Sequence, residues 1–130
     1  MLKSSLFKQT FFLLLVIGIL DGLAHAWYLY WTVWWFDVIM HFSAGFCVAM
    51  ASVLIWQYFF DKNISLKKSV AISFLFVLTV GLMWEIFETF FGIEQLSDGY
   101  NYVMDTVSDL ILDICGGILG SIYAHKLINK

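Results

Sequence analysis

The stretch Met104-Asp105-Thr106-Val107-Ser108-Asp109-Leu110-Ile111-Leu112-Asp113-Ile114-Cys115-Gly116-Gly117 places three carboxylates four residues apart inside an otherwise apolar run. Residues four apart lie on one face of an α-helix, so Asp105, Asp109 and Asp113 form a single stripe. Insertion scales charge an Asp at the centre of a membrane helix ~2.5–3.5 kcal/mol and return only ~0.3–0.6 kcal/mol for each Leu, Ile, Val or Phe. Three Asp therefore offset the apolar residues around them, and the stripe should not face lipid. It needs protons, cations or polar groups from other helices, and the rest of the chain supplies candidates.

Working outward, the composition sets the class. Of 130 residues, 62% are apolar, 19% aromatic and only 13% charged, which lies outside the soluble range and reads as an integral membrane protein. The length has room for four spans in one domain, 1–130. The absence of proline predicts spans without proline kinks. Cys47 and Cys115 fall inside separate spans and form no metal motif, so both are expected as small buried residues. There is no basic stripe with interleaved aromatics, which excludes nucleic acid as a partner.

The pattern predicts an all-α, four-helix transmembrane bundle with spans over about 9–28, 36–60, 69–91 and 103–124. The first follows Lys3 and Lys8 and ends in Ala24-His25-Ala26, which imitates a secretory signal with its cleavage site. The polar pair Asp21 and His25 would be wasted on a discarded peptide, so the reading favours a retained helix. Trp27, Tyr28, Tyr30, Trp31, Trp34, Trp35 and Phe36 then follow almost without interruption. Amphipathic rings concentrate at headgroup level, so a membrane-surface turn is expected there. Residues 61–68 are polar and basic and read as a loop. Residues 92–102 read as a second loop, with Glu94 and Asp98 as solvated charges. In the fourth span Gly116, Gly120 and Ala124 make a small-residue packing face for a neighbouring helix, and a further, purely structural reading uses that face to assemble a homo-oligomer.

All seven basic residues are Lys, at positions 3, 8, 62, 67, 68, 126 and 130. With both termini and the 61–68 loop in the cytoplasm every Lys is inside, which fixes the expected orientation. Ionisable side chains of all four spans then fall in the outer leaflet: Asp21 and His25, Asp37 and His41, Glu85 and Glu88, Asp105 and Asp109. At about 1.5 Å per residue, Asp21, His41, Glu85 and Asp109 come out roughly 9–11 Å below the outer boundary.

Spacing sharpens this. Asp37 and His41 share a face at i,i+4 and Glu85 and Glu88 at i,i+3. Oxygen-rich sites with an occasional imidazole suit Mg²⁺, Mn²⁺ or Ca²⁺, and carboxylates with His on facing helices also hold Zn²⁺ or Fe. Five or more carboxylates without a nearby Lys or Arg repel one another unless protonated or bridged by a cation. The expected ligands of a divalent metal ion are Asp37, His41, Glu85 and Asp109. Glu88, Asp105 and Asp113 are candidates for a catalytic base or further ligand, and Asp21 and His25 for support behind the site. Against this stands a structural use, in which Asp and Glu act as helix glue by sharing protons or bonding His, Tyr, Ser and Thr. That use suffices for a single pair such as Asp21 and His25, but glue rarely needs seven acids in one leaflet.

The order Asp37-x-x-x-His41-Phe42, then Trp84-Glu85-x-x-Glu88, then Asp105-Thr106-x-x-Asp109-x-x-x-Asp113-x-x-Gly116-x-x-x-Gly120 resembles the VanZ-like integral membrane proteins. More closely, it resembles the YjdF-like group of bacterial membrane proteins. The chain departs from the VanZ-like pattern by carrying Glu88 where Gln is usual and Asp113 where Asn is usual, and by lacking the Arg ahead of the last motif. The resemblance implies a multi-pass protein of the bacterial inner membrane and points to the cell envelope. It implies no particular reaction.

These observations lead to an expected function: a cation-binding acidic site open to the outer leaflet, acting on the headgroup of a membrane lipid or polyprenyl phosphate. The alternative is a non-enzymatic envelope protein that binds lipid or moves protons or ions along its carboxylates. The sequence has no Ser or Cys nucleophile beside a His, no phosphate-binding glycine loop and no zinc-protease helix motif.

Overall fold

The computed structural model describes residues 4–61, 63–91 and 99–129. They form α1 (Ser5–Ala26), a single turn α2 (Leu29–Thr32), α3 (Trp34–Phe59), α4 (Leu66–Phe91) and α5 (Gly99–Ile128). Four of these are long and apolar enough to cross a membrane. A 26-residue helix such as α3 or α4 is ~39 Å long, against a hydrocarbon core of ~30 Å, and every long helix starts before the apolar run that announces it, although α1 stops two residues short of the end of its run. Capping groups outside those runs set where helices begin. The Ser4 side chain accepts a hydrogen bond from the Phe7 N–H at 3.2 Å, and that of Ser65 accepts from Lys68 N–H at 3.3 Å. Such bonds satisfy amide groups that a helix start leaves free. Glu94 and Asp98 lie outside the described residues, as do Lys3, Lys62 and Lys130 of the lysine pattern.

The aromatic turn contains α2, which the sequence reading does not anticipate. Tyr28 precedes it with φ 57°, a left-handed conformation uncommon for an aromatic residue. Thr32 holds the turn by donating to the Tyr28 carbonyl at 2.9 Å.

Half of the α3 span is buried inside the bundle but only 11% of the α1 span, so α3 is the central helix and α1 a peripheral one. The closest packing is between α3 and α5. A Cβ on Gly116 would run into the Phe42 carbonyl oxygen, one on Gly120 into that of Phe46, and one on Gly45 into that of Asp113. Glycine at these three positions lets the two backbones touch. The Gly116, Gly120 and Ala124 face is therefore occupied by the chain's own α3, with Ala124 fully buried. This corrects its expected use for a second copy: small residues invite the nearest helix, and α3, which runs parallel to α5 in the same chain, gets there first. Cys115 is also corrected. Cys47 is buried, but Cys115 is exposed, one step around α5 from the glycine face.

At the far end, Leu6 of α1 joins Met50, Val53, Leu54 and Ala124 in an apolar core. Polar links reinforce the bundle: Ser52 to Ser73 at 2.9 Å between α3 and α4, Tyr123 to Gln9 at 2.7 Å between α5 and α1, and Thr89 to Tyr102 at 2.7 Å between α4 and α5. Short connections make sequential helices antiparallel. The C-terminal ends of α1 and α4 and the N-terminal ends of α3 and α5 consequently meet at one end of the bundle.

Candidate metal centre

That end collects the acidic residues around His41, which is 7% exposed. On one side of its ring, Nε2 stands 3.6 Å from an Asp37 oxygen and 3.8 Å from an Asp109 oxygen. On the other, Nδ1 stands 3.5 Å from an Asp113 oxygen. One residue of α3 thus faces carboxylates from its own helix and from two successive turns of α5. The close α3–α5 contact makes this geometry: Gly45 admits the Asp113 backbone, and Gly81 of α4 clears space for its side chain. A Cβ at Gly81 would come 2.7 Å from Asp113 Oδ2.

α4 contributes Glu85 and Glu88. Glu85 is 4% exposed; one of its oxygens accepts a hydrogen bond from Thr106 at 2.8 Å, while the other, Oε1, is buried with no hydrogen-bond partner. Leaving a buried carboxylate oxygen unpaired costs ~1–3 kcal/mol or more, which a cation would recover.

Two groups offer metal-ligating atoms within 4.8 Å of one another: Asp37, His41 and Asp109, and His41, Glu85 and Glu88. Oxygens on opposite sides of a Mg²⁺ at ~2.1 Å are about 4.2 Å apart, and around a Ca²⁺ at ~2.4 Å about 4.8 Å. The spacing fits the shell of a hard cation. The expected set of four is divided, since Glu85 joins Glu88 instead of Asp37 and Asp109, and His41 belongs to both. Asp113 is buried at 6% exposure on the Nδ1 side of the ring. A carboxylate there orients a ligating imidazole and raises its basicity. Asp105 is exposed and belongs to neither group. A four-residue repeat on a 3.6-residue helix turns about 40° at each step, so the first member of the stripe drifts off the face that Asp113 occupies.

Asp21 and His25 pair with each other at 3.5 Å, and Tyr30 donates a 2.8 Å hydrogen bond to Asp21. Burial, then the hydrogen bond to Asp21 and its negative charge, push the Tyr30 hydroxyl well above the ordinary tyrosine range. Asp21 and Tyr30 line the same cavity as Asp37, His41, Glu88 and Asp113, whereas His25 does not. The sequence reading leaves out Tyr30, Thr106, Gly45 and Gly81 as site residues. Thr106 carried a signal, standing next to Asp105 and about one turn before Asp109 within the apolar run. Glycines that make room show only when the facing helix is known.

A family model described as a predicted membrane protein, DUF2238, matches residues 3–130. The chain belongs to this family. Membership in DUF2238 agrees with the four membrane-length helices and makes the chain a multi-pass membrane protein. No curated protein and no solved structure matches it.

Proposed function

We propose that the protein holds a divalent cation near the outer face of the bacterial inner membrane and uses it on the phosphate headgroup of a lipid or polyprenyl phosphate. The observation that carries this reading is the placement of His41. Its Nε2 faces Asp37 and Asp109 while Asp113 backs Nδ1, and Glu85, whose Oε1 is buried and unpartnered, offers a carboxylate oxygen within 4.8 Å of the ring. Asp37, His41 and Asp109 are the ligands, and Glu85 and Glu88 extend the shell. Asp113 positions the ring. Mg²⁺, Mn²⁺ and Ca²⁺ suit so many carboxylates better than Zn²⁺. Mg²⁺-type sites commonly complete their shell with substrate phosphate oxygens, and a bound cation polarises a phosphoryl oxygen or activates a water.

The lysine pattern supports cytoplasmic termini and hence an outer-leaflet site, at the depth where headgroup phosphates are found. The VanZ-like and YjdF-like order of motifs supports a place in the bacterial envelope. The test is turnover of phosphate-headed lipids by purified protein in vesicles, with and without chelator. Metal-dependent release of product, absent in Asp109→Asn, is expected; turnover that survives both chelator and substitution removes the reading.

A second reading is favoured by the same ring. A histidine within 4 Å of three carboxylates also suits a proton relay through an ion- or proton-translocating envelope protein. It predicts pH-linked flux in vesicles with no product.

A further inference from the structure

A cavity of about 250 Å³ runs from the acidic cluster into the apolar part of the bundle. At one end its wall carries Asp37, His41 and Glu88; away from it the walls are Leu14 and Ile17 of α1, Val48 of α3, and Val77 and Val80 of α4. From Asp21 to Leu14 the wall falls by roughly 10 Å at 1.5 Å per residue. α1 and α4 both line the cavity, yet among the described residues no Cα of one comes within 8 Å of the other. The space between them is a slot that the two helices do not close by contact with each other. Gly18 lines it too, and a Cβ there would meet nothing within 4 Å.

We propose that this slot is the berth of a single-chain, phosphate-headed lipid, which enters from the bilayer between α1 and α4 and brings its phosphate to the cation. The inference rests on the cation centre proposed above and specifies the ligand it serves. Polar groups at one end and apolar walls at the other match an amphiphile. Glu85, more than nine-tenths buried with Oε1 unpartnered, stands behind that end with a carboxylate oxygen within 4.8 Å of ligating atoms of His41 and Glu88, which line it, and marks where a cation is wanted to draw the phosphate in. The volume, about 250 Å³, lies below the ~300–1,000 Å³ usual for ligand pockets, so it is too small for two chains and takes the headgroup-proximal part of one. Lipid tails are as apolar as Leu and Val, so a chain gains no hydrophobic free energy by moving from bilayer to slot. The slot selects by width, and the cation supplies the attraction.

The test uses the full chain in phosphatidylcholine nanodiscs loaded with Mn²⁺, with radiolabelled farnesyl phosphate as probe. Wild type is expected to bind it saturably. Gly18→Trp, which fills the slot from α1, should take up as much Mn²⁺ as wild type and bind the probe at least tenfold more weakly. Gly22→Trp, one turn along α1 at a glycine that is equally unobstructed but does not line the cavity, should bind like wild type. Val80→Phe narrows the slot from α4 and decides the matter if Gly18→Trp loses its Mn²⁺. Equal binding by the slot-filling variants overturns the berth and leaves the cation centre standing. Displacement by dioleoyl phosphatidic acid or inorganic phosphate at the same concentration as farnesyl phosphate also overturns it, pointing respectively to a two-chain lipid or a free-phosphate site. Wild type that takes up no Mn²⁺ overturns the centre, and the berth falls with it.

Discussion

Substituting alanine at Gly116 should damage both the fold and the site, because that glycine sets the distance between α3 and α5. The new Cβ would collide with the Phe42 carbonyl oxygen and stand 2.9 Å from the Phe42 carbonyl carbon and 3.0 Å from the Phe46 amide nitrogen. A comfortable carbon–oxygen contact between helices is ~3.3–3.6 Å, so the backbones must part by roughly 1.3–1.6 Å. No flexible side chain is available to absorb this. Overpacking of that kind costs about 1–3 kcal/mol, a factor of roughly 5 to 150 in the unfolding equilibrium. Two controls calibrate the loss. At Gly117 the new Cβ meets the Val77 methyl groups at 2.9 and 3.3 Å, which shift more readily. At Gly18 it meets nothing, and alanine there should gain up to about 1 kcal/mol of helix propensity. Equilibrium unfolding in mixed micelles, followed by circular dichroism, should rank the variants Gly18→Ala, Gly117→Ala, Gly116→Ala from most to least stable. Gly116→Ala as stable as Gly18→Ala would refute the claim that backbone contact between α3 and α5 builds the site.

Three further outcomes are expected. Thr106→Val removes the hydroxyl that donates to Glu85 and should cost about 1–3 kcal/mol in metal-free protein, while Thr106→Ser keeps the bond; the same unfolding assay compares them, and equal stabilities count against the contact. Asp113→Asn should weaken divalent-cation binding roughly 10- to 100-fold in a competition titration by weakening the support at His41 Nδ1, whereas Asp105→Asn should leave it unchanged. Because the folded-state pKa of Tyr30 is raised above the unfolded value of ~10, its contribution to stability is complete below pH ~10 and is lost as pH rises further. Ultraviolet titration should therefore find one tyrosine that resists ionisation beyond the ordinary range, and Tyr30→Phe should abolish that class alone.

The four long helices are legible in the sequence because lipid solvation leaves the chain few choices: an apolar run of about 20 residues must satisfy its backbone internally. The meeting of Asp37, His41, Glu85, Glu88, Asp109 and Asp113 at one end follows from alternating helix direction, which short connections enforce. What spacing could not supply was rotation about each helix axis. A few tens of degrees separate buried Asp109 from exposed Asp105, and place Glu85 with Glu88 instead of with Asp37. Nor does a glycine face name its occupant. Gly116 and Gly120 suit any close helix, and only the fold assigns them to α3. The turn α2 escaped notice because its aromatic residues carry an interfacial signal whatever their backbone conformation.

The central claim is that the carboxylates around His41 converge to hold a cation. It is tested most directly by metal analysis of protein purified in mild detergent, equilibrated with Mn²⁺ and freed of unbound ion. Wild type should retain a stoichiometric ion per chain, and both Asp109→Asn and His41→Ala should retain far less while remaining helical. Wild-type protein that emerges without metal, or an Asp109→Asn form that holds as much, would contradict the account.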